Sequence, residues 1–252
     1  VEAQIGIEAL SSSLLKKMNK GTTAIQNLEI MKDCEALGIR NASNLMLCFP
    51  GSDQQDVDES LGNLAFAFPF RPLKPVMFWL GAGSAVWRHP QQFGITSVTN
   101  HPNYKTLFPK EICQAGTLMI QNYRGDRVYQ RKLWRPVKSA LARWKKNYDR
   151  LHAGPNHIPI LSYRDGRDFL IIRQRESETR YQTHRLTGPS RKLYLYCQKH
   201  RPWEDITRRF SDLNLSEIRV FLKGMVEKKL MFEERDHYLS LAVARQETSS
   251  TT

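Results

Sequence analysis

The first 70 residues alternate between short continuous apolar runs and longer stretches of helical period. Ile5-Gly6-Ile7 closing on Glu8 and Ala9 predicts a strand over 3–9, and Leu14, Leu15 and Met18 predict a short helix over 13–19. A longer helix is expected over 23–37, with Thr23 as its N-cap and Gly38 as its stop. Asn44 to Phe49 reads as a second strand, after which Pro50-Gly51 and a polar turn lead into a helix over 54–67. Strand–helix–strand–helix with near-continuous apolar strands is the pattern of parallel pairing with helices packed outside. Two such units are too few to close a barrel, so the region reads as part of a larger α/β layer.

Residues 69–123 are rich in proline, glycine and aromatics, and strands with ordered loops are expected there. Over the next segment Trp134, Val137, Leu141, Trp144 and Tyr148 recur at three- and four-residue steps, which is one face of a helix. His152 to His157, with Gly154-Pro155 inside it, reads as a linker. Three strands are expected over 158–164, 168–175 and 179–187, the first two joined by the Asp165-Gly166 turn. Helices follow over 190–199, 203–211 and 215–229, and residues 230–243 read as an antiparallel wing. Helices and a wing behind a small sheet predict a winged helix–turn–helix over 158–245. The polar tail over 246–252 is expected to be disordered.

A chain of 252 residues can bury one sizeable core or two smaller ones. Its longest apolar run, Val76 to Val86, is far short of the roughly 20 residues that span a bilayer. No basic segment leads an apolar one at the N-terminus, so no signal peptide is read, and a cytoplasmic protein without a membrane partner is expected. The four cysteines (Cys34, Cys48, Cys113, Cys197) are scattered, with no CxxC pair, and free buried thiols are expected. The formal net charge of +13 is unevenly spread: residues 124–150 hold ten Lys/Arg against Asp126 and Asp149, a net +8. Basic residues interleaved with Tyr129, Trp134, Trp144 and Tyr148 suit a nucleic-acid backbone. They equally suit an amphipathic helix wrapping a neighbouring layer, and the apolar stripe favours that packing role.

Glu8 is the leading candidate for chemistry. An apolar strand delivering a carboxylate to a strand-to-helix turn places it where α/β folds gather ligands. The competing reading of the same stretch is a helix N-cap cluster, Ser11 to Ser13, before Leu14 and Leu15. There is no nucleophile elbow, HExxH or Walker loop, and the seven histidines are dispersed, so no catalytic residue and no metal ligand is assigned. On the third helix of the expected winged helix, Ile218, Leu222, Met225 and Val226 are predicted to face in, with Glu217, Arg219, Lys223 and Glu227 facing out. Two carboxylates on that face disfavour nucleic acid as a partner. Addition of a peptide as a strand to the edge strands over 158–187 is the competing use.

Several segments together resemble a family. Gln4-Ile5-Gly6-Ile7-Glu8-Ala9-Leu10-Ser11, with the leucine-rich helix and Lys20-Gly21 after it, resembles a late barrel strand of cobalamin-binding radical S-adenosylmethionine enzymes. Asn44 to Gly51, ending Phe49-Pro50-Gly51, looks like the following strand, and Gln92-Phe93-Gly94-Ile95 with Tyr104 and Phe108-Pro109 looks like the subgroup that matures ribosomally made, modified peptides. The resemblance covers residues 3 to about 123 well and the terminal unit more loosely.

It implies the C-terminal part of a radical SAM-type (β/α) partial barrel over 1–123, a basic helix and linker over 124–157, and then the winged helix–turn–helix. It further implies that Glu8 accepts the ribose hydroxyls of S-adenosylmethionine, a bidentate role suited to a carboxylate. Gln4 has a supporting place on the same strand, and Pro50-Gly51 forms the turn whose backbone passes close to the cofactor. The family's glutamate after that glycine is Ser52 here, leaving its role absent or to Asp53. The CxxxCxxC motif that holds the iron–sulfur cluster does not occur in the chain. The [4Fe–4S] cluster and cobalamin are therefore expected only in a complete family enzyme, and the chain alone is expected to be inactive. The implied partners are a precursor peptide or a missing N-terminal half. A non-enzymatic winged-helix protein that binds nucleic acid is the alternative, and a remnant without a stable fold is a third.

Overall fold

The computed structural model describes residues 1–154, 158–177 and 179–245. The tail expected to be disordered and the last three residues of the expected linker lie outside these. The architecture is mixed α/β with open sheets.

The N-terminal part is built from β1 (Glu2–Ala3), α1 (Ser12–Lys17), α2 (Ala24–Ala36), β2 (Arg40–Asn41), β3 (Asn44–Leu47), α3 (Gln54–Ala67) and β4 (Lys74–Met77). β1 pairs with β2 and β3 with β4, both in parallel, and Glu8 forms a parallel bridge to Leu45. Three extended segments thus lie side by side in chain order, as expected for βαβ units. The helices begin where their caps predict. The Ser11 side chain accepts from the Leu14 amide, and Thr23 and Asp53 each form a capping box with Gln26 and Asp56.

The strand predicted over 3–9 is broken. The Ile7 amide turns back to the Ile5 carbonyl at 2.8 Å and the Ala9 amide to that of Ile7 at 2.7 Å, while the Ile5 amide donates to Ser43 Oγ. Such i to i−2 turns shorten the segment and take its amides out of a ladder. Buried Asn27 of α2 holds the shortened form, donating from Nδ2 to the Ile7 and Ala9 carbonyls at 3.0 and 2.8 Å.

An antiparallel sheet of order β5-β7-β6 follows, from β5 (Leu80–Gly81), β6 (Ile95–Asn100) and β7 (Ile120–Gly125), with the short helices α4 (Ala85–Arg88) and α5 (Lys110–Ala115) in its connections. The basic segment forms α6 (Arg127–Leu133) and α7 (Arg135–Leu151). Trp134, Val137, Leu141, Trp144 and Tyr148 are all buried, and Trp144 Nε1 donates to the Phe70 carbonyl at 3.1 Å. The packing role predicted for this stripe is what the structure shows.

The C-terminal part comprises β8 (Leu161–Asp165), β9 (Phe169–Arg175), β10 (Tyr181–Thr187), α8 (Gly188–Tyr196), β11 (Arg201–Pro202), α9 (Trp203–Arg209), α10 (Leu215–Glu227), β12 (Met231–Glu234), β13 (His237–Ser240) and β14 (Val243–Ala244). The expected small sheet and wing form as two sheets, of order β10-β9-β8-β14 and β11-β13-β12. The wing is shorter than predicted, because fully buried Leu241-Ala242 carry the chain out of it and β14, from Val243, lies parallel to β8.

This C-terminal part sits on α2 and on the neighbouring α1 and α3 through polar and aromatic contacts. Glu234 accepts from the Ser12 hydroxyl and from the Ile25 amide at 2.9 Å. The Lys32 ammonium, 3% exposed, donates to the carbonyls of Gln198 and Ser240. Glu29 pairs with His200 and, at 3.3 Å, with Lys199, which also reaches Asp33 at 2.6 Å. Phe66 and Phe232 meet edge to face with centroids 5.0 Å apart. One hydrophobic core cluster consequently contains residues from Ile7 to Ala242.

Burial pulls the Lys32 pKa down from 10.5 to about 8. Between those values the unfolded chain binds more protons than the native one, so this residue makes stability rise with pH across that window. Cys197, pushed up by burial to about 12, acts in the opposite sense in both the wild type and a Lys32 variant. The wild type should therefore gain stability relative to Lys32→Met between pH 8 and 10.5, by on the order of 2–3 kcal/mol. Urea unfolding of both proteins at several pH values measures this, and a flat difference would show that Lys32 is not charged and buried as described.

Candidate functional site

Two of the seven described non-glycine residues with left-handed backbone lie at the carboxyl ends of neighbouring parallel segments. Glu8 has φ of 58° and Cys48 has φ of 59°, and Gly51 follows at 74°. Left-handed backbone costs a non-glycine residue about 1–2 kcal/mol, and such residues gather where a structure holds a functional group in place. The Glu8 carbonyl accepts from the Met46 amide at 2.8 Å, so the strained residue is pinned to β3 beside it.

The Glu8 side chain is one-fifth exposed, and Lys20 Nζ lies 3.4 Å from its Oε1. Among the described residues Lys20 is its ion-pair partner, which leaves most of the carboxylate's acceptor capacity open. The N-cap reading of the serines holds. Ser11 caps α1 and donates to Glu59 Oε2 at 2.7 Å, and the Ser12 hydroxyl serves Glu234. The two readings of this stretch are compatible because the strand end and the helix start are adjacent.

The other predicted site residues are placed less directly. Gln4 is exposed on the amino side of Gly6, and among the described residues no hydrogen bond ties it to Glu8. Pro50 is buried. Gly51 needs its left-handed φ, and a Cβ there would meet Phe93 Cα at 3.4 Å, so the neighbour its missing side chain admits is part of the chain itself. Asp53 caps α3 and pairs with Lys17 at 2.6 Å, whose hydrogen bond holds the Asp53 carboxyl below the usual carboxylate range.

Ser52, where the resembling family has glutamate, is buried in a polar network. Its hydroxyl proton is shared between the Phe49 carbonyl and Gln130 Oε1, both at 2.7 Å, while its oxygen accepts from Trp134 Nε1 at 2.8 Å. Gln130 Nε2 donates back to the Ser52 carbonyl at 2.8 Å and to Asp126 Oδ2 at 2.7 Å. This network joins the turn after β3 to α6. Trp134 was legible only as an apolar position, and nothing in the sequence marks Gln130.

Burial pushes the Cys48 thiol up, against the opposing charges of Arg131 and Lys138. A thiol of that kind is a poor nucleophile and a poor metal ligand. All four cysteines are free, three buried and Cys113 half-exposed. Among the described residues no cluster of His, Cys, Asp or Glu is placed to hold a metal ion. No helix there is long and apolar enough to cross a membrane.

Three clefts lie elsewhere. One of about 650 Å³ is lined by Cys34 to Arg40, Arg71 and Tyr148, another of about 640 Å³ by β8 and β9, and a third of about 490 Å³ by residues between Thr99 and Gln114. None includes Glu8, Pro50 or Gly51.

The network is expected to be cooperative. Gln130→Ala should cost about 2 kcal/mol, because Ser52 and Asp126 lose buried partners. In a double-mutant cycle with Ser52→Ala the two losses should fall short of additive by more than about 0.5 kcal/mol. Additive losses in urea unfolding would mean that the two residues act separately.

The chain matches no protein-family model and no curated protein.

Proposed function

We propose that this chain is the C-terminal portion of a radical S-adenosylmethionine enzyme that modifies a precursor peptide, and that it contributes one edge of the cofactor site. The observation that carries the reading is Glu8: a carboxylate on strained backbone at the end of a parallel segment, paired with Lys20 and one-fifth exposed. In this role Glu8 accepts both ribose hydroxyls of the adenosyl group, and Lys20 fixes the orientation of the carboxylate. The left-handed turn from Cys48 through Pro50 to Gly51 runs beside it and offers backbone groups to the same ligand. Gln4 is the weakest of the four inferred contacts, since it is exposed at the far end of the segment. Bound S-adenosylmethionine supplies radical-initiating chemistry only with an iron–sulfur cluster. The CxxxCxxC ligands for that cluster are absent from the chain, and its cobalamin partner is likewise assigned to another part of the enzyme.

The order α8-β11-α9-α10-β12-β13 agrees with a winged helix–turn–helix, and the three parallel segments agree with part of a (β/α) barrel. The contacts with α2 give the terminal unit a bracing role. Nucleic-acid binding through α10 has less support. Arg219 on its outer face is engaged by Asp236 at 2.5 Å and Tyr238 at 2.9 Å and lies over the Trp203 ring, while Glu217 and Glu227 are exposed.

Saturation-transfer NMR on the purified chain tests the reading with S-adenosylhomocysteine, adenosine and 2′,3′-dideoxyadenosine. The first two should bind weakly through the ribose, and the dideoxy compound should not. Glu8→Gln should lower affinity about tenfold, the worth of hydrogen bonds to a charged acceptor. Equal binding of adenosine and its dideoxy analogue, or no effect of Glu8→Gln, would refute the assignment.

A further inference from the structure

The outward face of α6 and α7 is a second feature, independent of the cofactor reading. From Arg127 to Tyr148 the sequence contains no Asp or Glu. Among the described residues Arg131, Lys132, Arg135, Lys138, Arg143 and Lys146 are exposed and carry no ion pair. Side chains three and four positions apart on a helix stand about 5–6 Å apart, so Arg135 and Lys138, and further along Arg143 and Lys146, form like-charged pairs on α7, preceded by Arg131 and Lys132 on α6. α7 alone spans 17 residues, a rod of about 25 Å. Its opposite side is buried along Val137, Leu141, Trp144 and Tyr148, so the charges are mounted on a fixed support.

We infer that this face docks an acidic polypeptide segment, rich in Asp and Glu, of a partner or substrate. Charge complementarity selects an anion, and the placement of the aromatics selects its class. Proteins that bind single-stranded nucleic acid combine basic grooves with exposed aromatic rings that stack on bases. Here the aromatics interleaved with the basic residues are turned inward: Trp134 is 1%, Trp144 2% and Tyr148 5% exposed. Tyr129 is exposed, but it lies at the far end of the face, on α6. A convex row of arginines and lysines meets carboxylates without such devices, and Arg131, Arg135 and Arg143 offer forked, bidentate donors.

Fluorescence anisotropy with the full chain tests this, using a labelled peptide of alternating glutamate and glycine, its glutamine counterpart and an oligothymidylate of the same charge. The glutamate peptide should bind at low salt, weaken as salt is added, and outcompete the glutamine peptide. Arg135→Glu, Lys138→Glu and Lys146→Glu together should weaken binding about tenfold or more. The milder change of the same three residues to glutamine should give a smaller loss and keeps the test valid if charge reversal harms folding. Lys223→Glu with Lys228→Glu, both on the surface of the C-terminal part, should have no effect. Equal loss from that control pair, equal binding of the glutamine peptide, or oligothymidylate binding tighter by roughly a hundredfold would overturn the assignment, the last in favour of nucleic acid.

Discussion

Helix α2 is covered on two sides, and a helix so covered has to satisfy polar groups that would otherwise face water. Its buried residues include Asn27, Glu29 and Lys32 besides the apolar ones. Each is matched from a different direction. Asn27 reaches the carbonyls of the broken N-terminal segment, and Glu29 and Lys32 reach groups of the C-terminal part. The shape of the segment bearing Glu8 and the seating of the last strands therefore depend on one helix. An apolar residue at position 27 would leave two carbonyls unpaired next to the candidate site, at a cost of about 1–3 kcal/mol each.

What the sequence reveals follows from how local each cause is. The starts of α2 and α3 lie within a residue of their predicted positions because Thr23 and Asp53 cap through side chains three residues away. The inward stripe of α7 was equally readable, since a helix fixes its own period. The break in the first strand was not, because it is set by Ser43 and Asn27, each far along the chain. The strand β14 was read into the wing for the same reason: its partner Ser162 lies in another sheet.

The candidate site shows the same division. Glu8, bridged to β3 at the end of a broken extended segment, was legible as an acid closing an apolar run. Lys20, which holds its carboxylate, and Phe93, which fills the space beside Gly51, were not. The basic segment is a sharper case. In sequence its aromatics and cations are mixed, and only the helix separates them, with rings to one side and charges to the other. That sorting changes the class of anion the surface suits.

The contacts across α2 also bear on how the protein comes to be made. Ser12 and Glu234, which share a hydrogen bond, are 222 residues apart. At a synthesis rate of 5–20 residues per second the partner emerges roughly 10–45 s later. During that interval α2 is complete in sequence while the face meant for the C-terminal part, Lys32 and Glu29 included, stays open to water. A nascent chain at this stage carries half of an apolar core and an uncovered helix. Such species are prone to aggregate and are natural clients of chaperones. The buried charges on α2 have a use then that they lack in the finished protein: they keep the waiting face soluble until its cover arrives.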